Sequence, residues 1–365
     1  MKALILAGGF GTRLRPLTCT RPKLMFPVAN RPLLDWIIER LSQSGVDVVV
    51  LAVNYMADVF ARSFGKSKYG VKILYSRETK PLGTGGPIKK AKDLLNDDDE
   101  PFFVLNGDIL STIDYKALYK KHAEYGAKAT IALHEVENPS RFGLAMVNDK
   151  NQILKFIEKP KPEVSMGKLI NAGVYVLNQS VFELIPPDRQ VSIEKEVFPI
   201  LAESGGLYGY NLDGLWVDIG KPEDYILANR HMLNMVAPQN RIEKGAKISN
   251  RASIVPPVAL AKGVTIEQDA VVGPYVSVGE GVTIGRGTRI ENSILFSNAL
   301  VDYSTSIKSA IIGEGAIIGR WVKIENDCIV GDHAVIDDNV TLAPNVKICP
   351  SKQVSDSILQ ASTVM

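Results

Sequence analysis

The segment "ALILAGGFGTRLRP" (residues 3–16) joins five apolar residues to three glycines in four positions and then offers two arginines. A continuous apolar run of that length reads as a strand of a sheet covered on both faces. Glycines directly after a strand let the backbone turn through positive φ and bring amide N–H groups close to a ligand without a Cβ in the way. Phosphate suits that geometry, and Arg13 and Arg15 would face its oxygens. Two known glycine-loop templates do not apply. Leu14 stands where a dinucleotide fingerprint has its third glycine, and no "GKS" or "GKT" of a Walker loop follows. A plain glycine-rich turn with solvated arginines is the other reading of the same letters.

Downstream, "VVVLAV" (48–53), "VKILY" (71–75) and "FFVL" (102–105) are further apolar, β-branched runs. Between the first two strands lies "RPLLDWIIERLSQSG", in which Leu33, Leu34, Trp36, Ile37, Ile38 and Leu41 form one apolar stripe and Gly45 supplies a C-terminal stop. Strand, helix, strand in that order predicts an α/β domain with a Rossmann-like, mainly parallel mixed sheet. "ATIALHEV", "LINAGVYVL" and "GLWVDIG" predict added strands in that sheet.

From about residue 242 the period changes to six. Ile242, Ile248, Ile254, Leu260, Ile266, Val272, Val278, Ile284 and Ile290 recur without a gap. After a slip of two, Ile294, Leu300, Ile312, Ile318, Ile324, Val330, Ile336, Leu342, Ile348 and Val354 keep the beat, missing only at Ser306. Small or β-branched residues such as Ala270, Val276, Val282, Thr288, Ala316 and Val322 stand two positions earlier. This is a hexapeptide repeat, so the expectation is a left-handed parallel β-helix in which every sixth side chain stacks inward. The domains expected are 1–235 and 241–365, with "VAPQN" (236–240) as the hinge.

Bulk composition excludes several classes. The 365 residues are 45% hydrophobic and 22% charged, with 42 Lys+Arg against 40 Asp+Glu, which fits globular domains and gives no basic track for nucleic acid. No stretch approaches the roughly 20 apolar residues of a membrane span. Gly8 and Gly9 cut the first apolar run too short for a secretory signal. Cys19, Cys328 and Cys349 are far apart and odd in number, so a reducing, cytoplasmic setting is the expectation. The acidic run "DDDE" (97–100) reads as a solvated loop.

The stretch "GGFGTRLRPLTCTRPKLMFPVANRPLL" (8–34) resembles the signature of sugar-1-phosphate nucleotidyltransferases, and a hexapeptide tail is a common companion to that domain. In order, "PLGTGGPI" (81–88), "FFVLNGDIL" (102–110), "ENPSRFGLAMV" (137–147), "FIEKP" (156–160), "INAGVYVL" (170–177), "SIEKEVFPI" (192–200) and "WVDIGKPEDY" (216–225) resemble the branch that makes GDP-mannose. The resemblance implies transfer of a nucleotidyl group from GTP to mannose 1-phosphate with release of pyrophosphate and help from Mg2+. It further implies that Leu6, Ala7, Gly8, Gly9, Gly11, Thr12 and Arg13 line the triphosphate, with Leu82, Gly83 and Gly86 at the base. Arg13, Lys23 and Lys159 would handle phosphate charge, Asp108 and Asp218 the metal, and Gly143, Glu158, Lys159 and Asn171 the sugar phosphate.

Other readings stay open from sequence alone. Glu158 and Lys159 are adjacent on an extended run and point to opposite sides unless the backbone bends at Pro160. The bland reading of Lys23 is a solvated surface lysine, and the glycines of "PLGTGG" read equally as a helix-entry turn serving only the fold. The base could be uracil or thymine with glucose as the sugar. His333 leaves room for acyl transfer by the β-helix, and a silent sugar-nucleotide-binding subunit is the non-enzymatic alternative. The end coils of a β-helix expose strand edges, so a homo-oligomer is expected.

Overall fold

In a computed structural model of the chain, residues 1–54, 56–96, 99–160 and 167–365 are described. The chain divides into two compact units, Met1–Gly9 with Leu34–Asp218, and Phe10–Leu33 with Ile219–Met365.

The first unit is built on the strands that the apolar runs announced. β1 (Lys2–Leu6) lies between β2 (Val48–Val53) and β4 (Phe102–Asn106), parallel to both, and β3 (Val71–Arg77) continues the parallel set beyond β2. The crossover from β1 to β2 passes through α1 (Leu33–Gln43). Its six stripe residues are all buried, and it stops before Gly45, whose φ of 89° only glycine adopts without strain. After β4 the sheet turns antiparallel. The long strand β9 (Leu169–Leu177) pairs with β4, with β7 (Gly143–Val147) and with β6 (Ala129–Glu135), while β8 (Ile153–Glu158) pairs with β7 and β10 (Leu207–Asn211) runs parallel to β6. Leu4, Val50, Val104, Ile131 and Tyr175 share one core on a face of this sheet.

The "GLWVDIG" run does not extend that sheet. Gly214 (φ 112°) turns the chain, Leu215 N–H donates to Thr112 Oγ1, and β11 (Trp216–Asp218) then pairs antiparallel with β5 (Ile109–Ser111) as a separate ribbon.

The second unit contains α2 (Pro222–Val236) followed by short parallel strands that stack into sheets of eight, seven and six, one for each face of a β-helix. The hexad residues line its interior. Leu260, Ile266, Val272, Val278, Ile284 and Ile290 are at most 1% exposed, and Ala270, Val276, Val282, Thr288, Ala316 and Val322 are fully buried beside them.

Between 290 and 312 the register differs from the sequence reading. Leu300 is 39% exposed, whereas Leu295, Val301 and Ile307 are buried and stack on Val278, Ile284 and Ile290. The physical cause is two turns that are each one residue short, at Asn292 and Ser309, both with positive φ; Asn292 Nδ2 donates to Ser309 Oγ at 2.9 Å. Because side chains alternate along a strand, losing one residue exchanges the inward and outward sets. Ser306 is therefore no gap, since Ile307 fills the core next to it. Ile242 is also exposed, at the open first coil.

All three cysteines are free thiols, and no helix among the described residues is long and apolar enough to cross a membrane. Asp97 and Asp98 of the acidic run lie outside the described residues.

The register makes a stability prediction. Ile307→Ala should cost about 2–5 kcal/mol in urea unfolding by leaving a core cavity, and Leu300→Ala under about 1 kcal/mol. The opposite ranking would place 300, not 301, inside the coil.

Candidate functional site

In the first unit, the glycine turn leaves β1 under tight packing. Ala7 N–H donates to Ala52 O at 2.9 Å, and a Cβ at Gly8 would lie 3.2 Å from both Asn54 Nδ2 and Glu78 Oε1. Asn54 Nδ2 in turn donates to Gly8 O. Gly9 has open space instead. Glu78, which the sequence did not single out, is 9% exposed just past β3 and accepts from Leu82 N–H at 3.3 Å. Burial raises its pKa, against the pull of that hydrogen bond and of Lys90.

Leu82, Gly83 and Gly86 lie against the chain at 189–193. A Cβ at Gly83 (φ 78°) would fall 2.3 Å from Val191 O, and one at Gly86 would fall 2.7 Å from Leu82 Cβ and 3.1 Å from Arg189 O. These glycines are thus demanded by close backbone approach, and Gly86 opens the helix Gly86–Lys90. Leu82 is 7% exposed. Thr84 Oγ1 and Ser192 Oγ both donate to Glu194 Oε2, at 2.5 and 2.8 Å, which ties this segment to a second buried carboxylate.

The two aspartates, 110 positions apart in sequence, are brought together within this unit. β4 ends at Asn106, Gly107 N–H donates to Leu6 O at 3.2 Å, and Asp108 opens onto β5. In the β5–β11 ribbon Asp218 is the Cα partner of Ile109, the residue after Asp108. Both aspartates are half-buried. No group of three or more His, Cys, Asp or Glu residues that could hold a metal occurs among the described residues. Carboxylate oxygens are the hard donors that a divalent ion takes when it completes its shell with water and phosphate, which makes Asp108 and Asp218 candidates for that role.

Gly143 and Glu158 face each other across β7 and β8. The bend that unites Glu158 with Lys159 comes at Lys159 itself, not at Pro160: its φ is 50°, its N–H donates to Phe142 O at 3.0 Å, and its ammonium lies 3.9 Å from Glu158 Oε1. A Cβ at Gly143 would reach 2.5 Å from Phe156 Cζ and 2.9 Å from Glu158 Oε2. Asn171 sits at a bulge of β9, where Oδ1 accepts from Gly173 N–H (2.8 Å) and Nδ2 donates to the hydroxyl of buried Tyr175 (2.9 Å). Gly173 has φ 72° and packs on Asn106, so the "NAG" triplet carries a backbone requirement beside its amide.

The second unit holds Gly11, Thr12, Arg13, Arg15 and Lys23. Gly11 is left-handed (φ 58°) and caps the short turn Thr12–Leu14; its carbonyl accepts from Thr18 Oγ1 at 3.0 Å. Thr12, Arg13 and Arg15 are exposed. Arg13 lies against Gly220, where a Cβ would come 3.2 Å from Nη1, so glycine there makes room for the guanidinium. Lys23 is 7% exposed, which rules out a solvated surface lysine, and its Cβ lies 3.6 Å from where a Gly11 Cβ would stand. A cation is not buried without compensating charge or dipoles. His333 is a left-handed turn residue of the β-helix (φ 59°) whose N–H donates to Glu314 O at 2.8 Å, which accounts for its position structurally.

The chain is similar to known proteins along most of its length. A family model described as "Nucleotidyl transferase" matches residues 2–235, and one described as "GMPPB C-terminal domain" matches 254–364. The chain is 40% identical, over the full length of both, to the mannose-1-phosphate guanylyltransferase catalytic subunit beta of Dictyostelium discoideum. It is 45% identical to the mannose-1-phosphate guanyltransferase of Saccharomyces cerevisiae over 262 residues, 70% of this chain and 72% of that one. Among solved structures, HddC from Yersinia pseudotuberculosis complexed with GMP-PN matches with a TM-score of 0.54 and 30% identity, covering 63% of this chain and 99% of that chain.

The carboxyl pair in the first unit gives a titration prediction. Burial and then the neighbouring Glu194 raise the pKa of Glu158 above its ordinary 4.5, with Lys159 and Lys195 pulling down. An acid whose pKa is raised on folding loses stability as pH climbs from about 4.5 through the folded value. Carboxyl NMR should place the Glu158 midpoint above 4.5, and Glu194→Gln should lower it. A midpoint at or below 4.5 that ignores Glu194→Gln contradicts this.

Proposed function

The chain belongs to the nucleotidyl transferase family, and from that premise we propose that it makes GDP-mannose and pyrophosphate from GTP and mannose 1-phosphate. A phosphate oxygen of the sugar phosphate attacks the α-phosphorus of the nucleotide. The new P–O bond forms as the bond to the bridging oxygen of the β-phosphate breaks, and its electron pair departs with pyrophosphate. No protein nucleophile is needed; the task is to align two anions that repel each other and to neutralise the leaving group.

The observation that carries this reading is the pairing of β5 with β11, which delivers Asp108 and Asp218 to neighbouring positions from motifs 110 residues apart. These are the residues that would hold Mg2+. When bound, a divalent cation supplies neutralisation of charge on phosphate oxygens. Arg13, steadied against Gly220, offers a planar fork to the β- and γ-phosphates. Lys23 offers a buried point charge, which acts more strongly than one in water. The backbone from Leu6 through Ala7, Gly8, Gly9, Gly11 and Thr12 follows the triphosphate. At Leu82, Gly83 and Gly86 protein already fills the missing Cβ positions of the glycines, so contact with the base runs through main-chain atoms and the Leu82 side chain. Glu158, bent beside Lys159, accepts from sugar hydroxyls while Lys159 meets the sugar phosphate, with Gly143 and Asn171 completing that side. Guanine and mannose are favoured by the names of the full-length relatives.

The second unit also carries outward-facing Leu300 and Ile317, 39% and 44% exposed, on one face of the coil; they support assembly of copies through the β-helix.

Pyrophosphate release across a grid of nucleoside triphosphates and hexose 1-phosphates should peak at GTP with mannose 1-phosphate; a peak at UTP or dTTP rejects the assignment. Asp108→Asn should cut turnover by about 10²–10³-fold with the fold intact by circular dichroism. Sedimentation should give at least twice the mass of one chain, and a monomer at micromolar concentration rejects assembly.

A further inference from the structure

The segment Phe10–Leu33 carries both phosphate-handling cations of the second unit, yet its described helical turns are three residues each, Thr12–Leu14, Leu17–Cys19 and Lys23–Met25. Turns that short do not fix a side chain by themselves. Along residues 26–30 the anchoring is aromatic packing and hydrogen bonds on amide and carbonyl groups, such as Asn30 Nδ2 to Ala259 O and Val278 O and Arg241 Nη2 to Ala29 O. At Thr20–Arg21 it changes character and becomes ionic. Arg21 Nη2 donates to Asp332 Oδ2 at 2.7 Å and to Glu314 Oε2 at 2.6 Å, Thr20 Oγ1 donates to the same Asp332 oxygen at 2.7 Å, and the guanidinium lies 4.8 Å from the Phe296 ring centroid.

Asp332 divides its two oxygens. Oδ1 accepts from Glu314 N–H at 2.7 Å inside the coil, and Oδ2 faces the segment. The residue is 3% exposed, and a buried carboxylate costs stability unless a cation and hydrogen bonds meet it. Burial works against the charge of Arg21, but Asp332 and Glu314 outweigh it and raise its pKa. Only Pro22 separates Arg21 from Lys23, with φ −62° held by its ring, so a shift of Arg21 is passed on to Lys23.

We propose that Asp332, on the β-helix, is a positioning residue for nucleotide phosphate: it holds Thr20 and Arg21, and through Pro22 sets where Lys23 stands. The inference rests on the reading of Lys23 and Arg13 as phosphate ligands. It gives the β-helix a part in the reaction beyond assembly.

Asp332→Asn tests it, since the shape and the Oδ1 contact survive while the charge facing Arg21 is lost. In the full chain, KM for GTP should rise about tenfold and kcat fall about tenfold, because a small misplacement of an aligning group is costly. KM for mannose 1-phosphate should stay within about twofold, since Glu158 and Asn171 belong to the other unit. A structural role alone would not separate the two substrates. The double variant with Arg21→Gln should be no worse than the poorer single one. Unchanged GTP constants in Asp332→Asn, or equal changes for both substrates, overturn the proposal. So would an equal effect from Asp269→Asn, at an exposed ion pair with Arg251 elsewhere on the coil. Lys23→Ala runs alongside: full activity there refutes the phosphate reading and this inference with it, whereas lost activity there with normal GTP constants in Asp332→Asn refutes the positioning role alone. Should Asp332→Asn fail to fold, Glu314→Gln, at the more exposed carboxylate on the same guanidinium, decides the matter: a GTP-specific KM rise of about threefold supports the role and no rise overturns it.

Discussion

Buried backbone groups must find hydrogen-bond partners, and the two-residue ribbon of Pro27–Val28 with Arg31–Pro32 leaves several groups of residues 27–30 to partners elsewhere. Asn229 Oδ1 accepts from Ala29 N–H, the Tyr225 hydroxyl donates to Pro27 O, Arg241 donates to Ala29 O, and Asn30 reaches two carbonyls of the coil. Asn229 is 1% exposed and also accepts from Ser277 Oγ, so one amide oxygen on α2 serves the segment and the β-helix together. With Phe26 packed on Tyr225 and Phe296, this makes the segment Phe10–Leu33 an integral part of the unit that contains the coils. The position of its cations is a property of that unit's packing rather than of a free loop.

The first unit places its carboxylates by a different device, the register of strands. Asp108 immediately precedes β5 and Asp218 ends β11, the two strands of the short ribbon, and Glu158 ends β8 opposite Gly143, just before the left-handed turn at Lys159. Glycines do matching work where backbones must touch: Gly83 against Val191 O and Gly143 against Phe156. Lys159 stands with the carboxylates of the first unit, while Arg13 and Lys23 belong to the second.

Much of this was legible in the letters. Apolar runs gave the strands almost to the residue, because a strand buried on both faces has no polar alternation to blur its ends. The period of six gave the β-helix, since each coil repeats the same contacts. The legible part of the site was its residue types: glycines after β1, Lys23, the two aspartates, Glu158 with Lys159. Glu78 and Glu194 were not legible as site neighbours. Each is one carboxylate in an ordinary run, and its importance lies in neighbours far along the chain, Gly8 for Glu78 and Thr84 for Glu194. The slips at Asn292 and Ser309 look like one slip of two in the sequence, which shows spacing and not direction: Leu300 and Val301 are both aliphatic, and only stacking on Ile284 says which points inward.

Sequence by itself determined the class of architecture, its two periods and the kinds of charged group available, because periodicity and composition are local properties written into the chain. Tertiary structure alone decided which groups stand together: that Asp218 pairs beside Asp108, that Gly220 leaves space for Arg13, and that Asp332 of the coil holds Arg21. These residues lie roughly one hundred to three hundred positions apart in the chain, and at Asp332 the reason is physical: a carboxylate buried that deeply must meet a cation and hydrogen bonds.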